Sequence, residues 1–178
     1  MLRGRFELNF EQIYLDAKAD KIEGQLEDEL ASFADLLAQH YDFKLFLEDP
    51  RIAADYKKKC LIDLCPKNMT RNFFSVINGL IDNGREELIN ELAKTFTKQL
   101  AKDKKMVFGL VTSVCQLPVA VKKKLEQDIK NWKACPVVLR YRLDSELLGG
   151  LCIKFIDGMV LDISLKHKLN NLKEVILA

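Results

Sequence analysis

The chain has 178 residues, of which 48% are hydrophobic and 30% are charged, and its formal net charge is +2. This length allows one domain or two small ones, and the apolar content excludes an intrinsically disordered chain. The charge is uneven, because residues 1–50 carry −7 while residues 51–105 and 106–178 carry +5 and +4, which argues against nucleic-acid binding through one basic face.

The N-terminus and the cysteines both argue against secretion. Residues 1–5 are followed by Glu7 and Glu11 instead of the apolar core of a signal peptide. The five cysteines are odd in number and lack the spacing of a disulfide framework, so we expect a reducing compartment and no structural disulfide. No apolar run approaches the ~20 residues of a membrane-spanning helix, and any membrane association is therefore expected to be indirect.

Residues 1–105 are predicted to form about five or six short helices. Two apolar stripes at helical spacing are separated by a break near Asp20. The first stripe contains Phe6, Phe10, Ile13 and Ala17, and the second contains Ile22, Leu26, Leu30, Phe33 and Leu37. A short apolar turn then ends at Asp49-Pro50, because the residue before a proline disfavours the helical conformation.

A third apolar stripe, which contains Ala54, Cys60, Leu61 and Leu64, stops before Pro66, and another helix is predicted after it. Thr70 is predicted to cap it, and Asn83-Gly84 to end it. Its apolar residues cover a wide arc, and they are Phe73, Phe74, Val76, Ile77, Leu80 and Ile81. A helix of this kind is either buried among its neighbours or covered by a partner. A last helix is predicted from Leu88 into the exposed, charged run 102–105.

The pattern changes at residue 106, where helical periodicity gives way to alternation. Apolar residues that alternate with smaller or polar neighbours predict a half-buried strand, and they are Met106, Phe108, Leu110 and Val114. A helix follows Pro118, with Trp132 predicted in the core. The order β-α-β-β-β-α predicts a small mixed sheet with helices against it, so we expect domains at 1–105 and 106–178.

Two local signals end the second predicted domain. Asp157-Gly158 between apolar runs favours a type I′ hairpin turn, in which both central residues have positive φ. Ser164 is predicted to cap a closing helix, whose apolar stripe contains Leu165, Leu169, Leu172 and Ile176.

No catalytic or metal-binding constellation stands out. Cys60 and Cys65 lack the paired spacing of zinc ligands, and His40 and His167 stand alone. Ser113 is not in a Gly-x-Ser-x-Gly turn. We therefore expect no enzymatic activity, no metal and no cofactor.

The charged clusters have an ordinary interpretation as solvated helix faces. This applies to two acidic clusters, residues 27–29 and 86–87, and to two lysine clusters, residues 57–59 and 122–124. We expect all four clusters to be exposed to solvent.

The segment Leu143–Lys154 resembles the C-terminal signature of the F-type ATP synthase delta subunit family, which includes the mitochondrial oligomycin-sensitivity-conferring protein. The resemblance continues from Asp157 to Leu169. The matching positions are Asp144, Leu148, Gly149, Gly150, Asp157, Gly158, Asp162, Ser164 and Leu169. Ile163 replaces a glycine of the family, so its turn must adopt a conformation that is open to a β-branched residue.

Shorter matches occur in the family's order along the rest of the chain. They are Leu45–Pro50, Asn72–Phe74, Asn83–Arg85 and Val111–Pro118. The resemblance therefore extends from about Phe10 to the C-terminus, although the first helix lacks the family's usual Tyr-Ala-x-Ala-Leu.

The resemblance implies a six-helix bundle followed by a small α/β domain, in a non-catalytic stator subunit without a cofactor. The bundle would bind the N-terminal segment of an alpha subunit, and the C-terminal domain would bind the b subunits of the peripheral stalk. The implied location is peripheral, on the cytoplasmic face of the bacterial inner membrane, with no nucleic acid bound and membrane contact only through the complex.

The resemblance also implies a groove between the first and fifth helices, in which an amphipathic helix would dock. The groove residues would be Phe10, Ile13, Tyr14, Ala17, Phe74, Ile77 and Ile81. We expect several of them to be partly exposed, so that charges at Tyr14 or Ile77 would abolish binding and leave the fold intact.

Two other functions remain open at this point. A helical adaptor unrelated to ATP synthase would use the same bundle, and a basic RNA-associated factor would conflict with the acidic start. The molecules that co-purify with the chain distinguish these functions from a stator role.

Overall fold

A computed structural model describes residues 10–65, 69–145 and 147–165. The chain divides into two compact units, of which one ends at Leu100 and the other begins at Ala101. All five cysteines are free thiols.

Six α-helices form the first unit within the described residues. They are α1 (Phe10–Ala19), α2 (Glu23–Gln39), α3 (Tyr41–Glu48), α4 (Ala54–Leu64), α5 (Arg71–Asp82) and α6 (Ile89–Lys104). A 3-10 turn, Glu86–Leu88, leads into α6, and α6 itself continues past the unit boundary. The predicted six-helix bundle is confirmed.

The local signals for helix ends are confirmed as well. Thr70 caps α5, since its Oγ1 accepts a hydrogen bond from the Phe73 N–H at 3.2 Å. Gly84, with φ of +61°, follows the end of α5. The break after α1 occurs at Lys21, which has φ of 57°.

Aromatic and aliphatic side chains fill the centre of the bundle. Phe33 of α2 makes edge-to-face contacts with Phe43 and Phe73, at ring-centroid distances of 6.3 and 5.4 Å. Around them lie further fully buried side chains, namely Leu26, Leu30, Leu47, Leu61, Ile77, Leu80, Ile89, Leu92 and Phe96. Helix α2 packs against α1, α3 and α5 and is therefore central to the bundle.

Four charged side chains lie in this interior, contrary to the expectation that their clusters are solvated. They are Glu27, Glu29, Lys57 and Glu86, with exposed fractions of 2%, 9%, 3% and 7%. The physical reason is that each of them has a partner on another element, as a buried charge requires.

The partners of these charges come from distant parts of the chain. Lys57 Nζ lies 2.6 Å from Glu86 Oε1. Thr97 Oγ1 lies 2.6 Å from Glu27 Oε1, and Thr70 Oγ1 lies 2.6 Å from the second oxygen of Glu29. These contacts connect α4 to the 3-10 turn and α2 to both α6 and the residue that caps α5.

The second unit is a four-stranded mixed sheet with one described helix against it. Its elements are β1 (Val107–Ser113), α7 (Val119–Lys133), β2 (Val137–Leu143), β3 (Leu151–Phe155) and β4 (Val160–Asp162). The strand order is β2-β1-β3-β4, with β1 parallel to β2 and antiparallel to β3. The predicted mixed sheet is confirmed.

One face of the sheet forms the core of this unit with α7. The buried members are Val111, Ile129, Leu139, Ile153 and Phe155. The face of β1 in this core therefore carries Val107 and Val111 instead of the predicted Phe108 and Leu110. Phe108 is buried on the opposite face, where the Arg140 guanidinium lies 5.7 Å from its ring centroid.

Trp132 is not a core residue, and its predicted burial is wrong. Its side chain is 56% exposed, because α7 contributes Ile129 and Leu125 to the core and not Trp132. Its ring lies 6.1 Å from that of Phe155, and Lys133 Nζ lies 5.0 and 4.9 Å from the two ring centroids.

The hairpin between β3 and β4 also differs from its prediction. Gly158 has φ of +92°, but Asp157 is not among the residues with positive φ, so the turn is not type I′. The Gly158 N–H donates to the Phe155 oxygen at 3.0 Å, and the Phe155 N–H donates to the Met159 oxygen at 2.8 Å. The turn therefore begins one residue earlier, and a single glycine supplies the positive φ.

The buried ion pair predicts a contrast between neighbouring lysines. Lys57→Met should lower the free energy of unfolding by about 3 kcal/mol or more, because Glu86 is left as a buried, unpaired charge. Lys58→Met is the control, since Lys58 pairs with the half-exposed Asp82 and its loss should cost under about 1 kcal/mol. Urea unfolding followed by circular dichroism measures both, and equal losses would contradict the assignment.

We propose that the two units fold independently, with the boundary at residues 102–106. Lys102, Lys104 and Lys105 are exposed. Lys105 directly follows the last residue of α6 and has a left-handed φ of 50°. Limited trypsin digestion should therefore cut here first and leave two resistant fragments. A resistant fragment that spans residues 90–130 would contradict this boundary.

Candidate partner-binding surfaces

The structure divides the predicted groove residues into two groups. Phe10, Ile13 and Phe74 are half-buried. The other four are buried, with exposed fractions of 2% for Tyr14, 3% for Ala17, 0% for Ile77 and 3% for Ile81.

The buried four belong to the core of the bundle, so the expectation that Tyr14 and Ile77 are partly exposed is wrong. Tyr14 packs edge-to-face on Phe96 of α6 at 5.2 Å. Helix α5 packs against α2, α4 and the 3-10 turn, and these neighbours account for its wide apolar arc. A charge at either position would therefore unfold the bundle.

The three half-buried residues, Phe10, Ile13 and Phe74, have exposed surface that a partner can contact. Phe10 borders an open depression of about 330 Å³, which is also lined by Glu11, Thr95, Phe96 and Gln99. Phe74 contacts the buried ring of Phe73 at 5.4 Å. The end of α1 and the start of α5 meet where Asn72 Nδ2 donates to Asp20 Oδ2 at 3.5 Å.

Helix α5 has a further feature that hydrophobic periodicity does not reveal. The Asn78 side-chain oxygen is buried and accepts no hydrogen bond from the described residues. A Cβ added at the adjacent Gly79 would meet no atom within 4 Å. A polar acceptor next to a helical glycine with open space is compatible with the close approach of another backbone.

The signature glycines of the second unit allow two backbone segments to touch. Gly150 has φ of +79°, and a Cβ there would lie 2.3 Å from the Ile163 oxygen. Gly149 has φ of +153°, and its oxygen accepts a hydrogen bond from the Leu165 N–H at 3.0 Å. The backbone at the bend therefore contacts the backbone at 163–164, and only glycine fits at position 150.

The segment that lies against this bend includes two further signature positions, Asp162 and Ser164. The Ser164 N–H donates to Asp162 Oδ1 at 2.9 Å, and Ser164 is buried. Ile163 is not among the residues with positive φ, so its turn is open to a β-branched residue, as the sequence requires. Leu169 lies outside the described residues, as does the predicted closing helix beyond Leu165.

The remaining signature residues lie at the ends of strands. Asp144 follows β2, and its N–H donates to the Ser113 oxygen at 2.9 Å. Leu148 is 67% exposed just before the glycine bend. The Met159 N–H and the Lys133 ammonium hold the pKa of the Asp157 carboxyl below its usual value, while Gly158 completes the turn.

Cys65 and Tyr141 are not activated nucleophiles. Burial raises the pKa of the Cys65 thiol to about 11, and it also raises the pKa of the Tyr141 hydroxyl, which lies 3.2 Å from Glu126 Oε1, to about 12. Both groups are therefore protonated at neutral pH. Within residues 10–65, 69–145 and 147–165, no three His, Cys, Asp or Glu side chains form a group able to hold a metal ion.

The glycine bend predicts a large difference between two glycine variants. Gly150→Ala should destabilise the second unit by about 3 kcal/mol or more, because the new Cβ meets the backbone at 163–164. Gly158→Ala is the control, since it has a similar φ but open space, and it should cost about 1 kcal/mol. Trp132 is the single tryptophan, so its fluorescence during urea unfolding reports on this unit. Equal effects would contradict the assignment.

Comparison with known proteins gives a consistent result. The family model described as ATP synthase delta (OSCP) subunit matches residues 13–176. The ATP synthase subunit delta of Desulforudis audaxviator is 25% identical over 177 residues, which cover 99% of this chain and 97% of that protein. The subunit delta of Clostridium kluyveri is 27% identical over 157 residues, or 88% and 86% of the two chains.

A solved structure supports the fold. A chain in the cryo-EM structure of the Toxoplasma gondii mitochondrial ATP synthase hexamer superposes with a TM-score of 0.60 at 19% identity, and 95% of each chain is covered. None of the described helices is long and apolar enough to cross a membrane. Since the family match spans most of the sequence, the chain belongs to the ATP synthase delta (OSCP) subunit family, which contributes to the peripheral stalk of that enzyme.

Proposed function

We propose that this chain is a non-catalytic stator link, which joins the alpha subunits of the catalytic head to the b subunits of the peripheral stalk. Such a link would keep the head from turning with the rotor and so couple proton-driven rotation to ATP synthesis. It needs two binding surfaces on one chain, and the division into two compact units agrees with that requirement.

The observation that carries this proposal is the set of half-buried apolar side chains on α1 and α5. Phe10, Ile13 and Phe74 keep part of their surface in water. Other apolar residues of the same two helices are buried, namely Tyr14, Ala17, Phe73, Ile77, Leu80 and Ile81. We infer that the N-terminal segment of an alpha subunit docks there as an amphipathic helix and removes this surface from water. Asn78 and Gly79 would then lie beside the partner's backbone.

The second unit would bind the b subunits, and its exposed apolar residues support this part of the proposal. Leu143 at the end of β2 and Leu148 just before the glycine bend have exposed fractions of 60% and 67%. Large apolar side chains with this exposure can be covered by another protein.

The remaining parts of the proposal concern location and chemistry. The subunit would lie on the cytoplasmic face of a bacterial inner membrane, since the Desulforudis audaxviator and Clostridium kluyveri proteins are bacterial, and its membrane contact would be indirect. It would bind no nucleic acid, because its acidic and basic segments offer no single basic face, and a stator link needs no cofactor.

The test uses a synthetic peptide of the alpha subunit's N-terminal segment from the same organism. Ile13→Glu and Phe74→Glu should each weaken peptide binding at least about 100-fold, because a charge must be desolvated when the helix docks. Both variants should keep the circular dichroism of the parent, since a side chain at either position can reach water. Isothermal titration calorimetry gives the dissociation constants.

Two controls make the result decisive. Ile77→Glu should unfold the bundle, since Ile77 is fully buried, and Leu148→Glu in the second unit should leave peptide affinity unchanged. A folded Phe74→Glu chain that binds as tightly as the parent would place the alpha-binding surface elsewhere.

A further inference from the structure

A buried carboxylate of α2 holds the residue that starts α5. Glu29 Oε1 accepts a hydrogen bond from the Thr70 N–H at 2.9 Å, and Glu29 Oε2 accepts one from Thr70 Oγ1 at 2.6 Å. Gln25 Nε2 donates to the same carboxylate at 3.3 Å. Glu29 thus holds both the backbone and the side chain of Thr70.

Thr70 passes this constraint to the first turn of α5. Its Oγ1 accepts from the Phe73 N–H at 3.2 Å, and its backbone oxygen accepts from the Phe74 N–H at 3.3 Å. The position of Thr70 therefore fixes the backbone from which the half-buried Phe74 side chain projects. The carboxylate also complements the positive end of the α5 dipole.

Glu29 has little surface of its own to offer a partner. Only 9% of the residue is exposed, and the contacts described above occupy both of its oxygens. Any effect of this side chain on binding must therefore pass through Thr70 and α5.

We propose that Glu29 is a positioning residue for partner binding, because its grip on Thr70 holds the first turn of α5 in the arrangement that presents Phe74. This inference rests on the proposed docking of an alpha-subunit helix on α1 and α5. Without the grip, α5 samples other arrangements of its first turn, and the partner binds only the fraction of molecules in the competent one. The apparent dissociation constant rises by the inverse of that fraction.

This mechanism gives a kinetic signature that a lost contact does not. A smaller competent fraction lowers the association rate constant, while the complex, once formed, dissociates at the rate of the parent. Removal of a direct contact would instead raise the dissociation rate constant. The two rate constants therefore separate positioning from contact.

The experiment measures both rate constants by stopped-flow fluorescence, with the full chain and a labelled peptide of the alpha subunit's N-terminal segment. Three variants change this contact. Glu29→Gln removes the charge and weakens the hydrogen bonds to Thr70 while the side chain keeps nearly the same shape. Thr70→Val removes the hydroxyl, and Thr70→Ser keeps it. The matched control is Thr97→Val, which removes the other buried threonine–glutamate contact of α2, the one to Glu27 on the α6 side. All are measured where circular dichroism shows a folded bundle.

Glu29→Gln and Thr70→Val should each lower the association rate constant about five-fold or more, with the dissociation rate constant unchanged. The double variant should lose less than the product of the two single effects, because both changes weaken the same Glu29–Thr70 interaction. Thr70→Ser and Thr97→Val should bind as the parent does.

Three results would overturn this inference and leave the proposed function standing. Glu29→Gln and Thr70→Val could both associate at the rate of the parent, or Thr97→Val could lose as much of the association rate constant as they do. Both variants could also lose the circular dichroism of the whole bundle. A parent chain that fails to bind the peptide would overturn the proposed function, and with it this inference.

Discussion

A carboxylate that leaves water must find hydrogen-bond donors, and this requirement organises the helical unit. Glu27 and Glu29 lie two residues apart on α2 and are both buried, yet they reach different neighbours. One meets Thr97 of α6, and the other holds Thr70 at the start of α5. Apolar packing alone would tolerate small shifts of these helices, whereas two directional contacts fix them relative to α2.

The sequence predicts the helices of this unit but not the polar contacts between them. Periodicity is local, and it therefore identifies stripes, breaks and the Thr70 cap. The partners of the buried charges lie 29, 41 and 70 residues away, so a cluster such as 27–29 looks like a solvated face until the bundle is assembled. The wrong prediction of exposed groove residues has the same cause. The apolar arc of α5 is covered by α2, α4 and the 3-10 turn, and periodicity within α5 does not show these contacts.

In the second unit, the sequence shows a match to the family at Gly149-Gly150 but does not show why glycine is needed there. Gly149 and Gly150 are part of the segment that resembles the family, and the reason for the second glycine is the Ile163 oxygen, 2.3 Å from where a Cβ would be. The turn at Asp157-Gly158 failed as a prediction because the dipeptide does not define which two residues are central. The prediction that Trp132 is buried was wrong because the apolar stripe of α7 does not show how many of its residues reach the core.

The central claim is that one chain carries force between two binding surfaces, and the continuity of residues 101–106 is its most direct test. A specific protease site can be inserted between Lys104 and Lys105, and the variant assembled into the ATP synthase of inverted membrane vesicles. ATP-driven proton uptake is then followed before and after complete cleavage. If the chain transmits force through this segment, uptake is lost on cleavage while ATP hydrolysis continues; uptake that persists after complete cleavage would show that it does not.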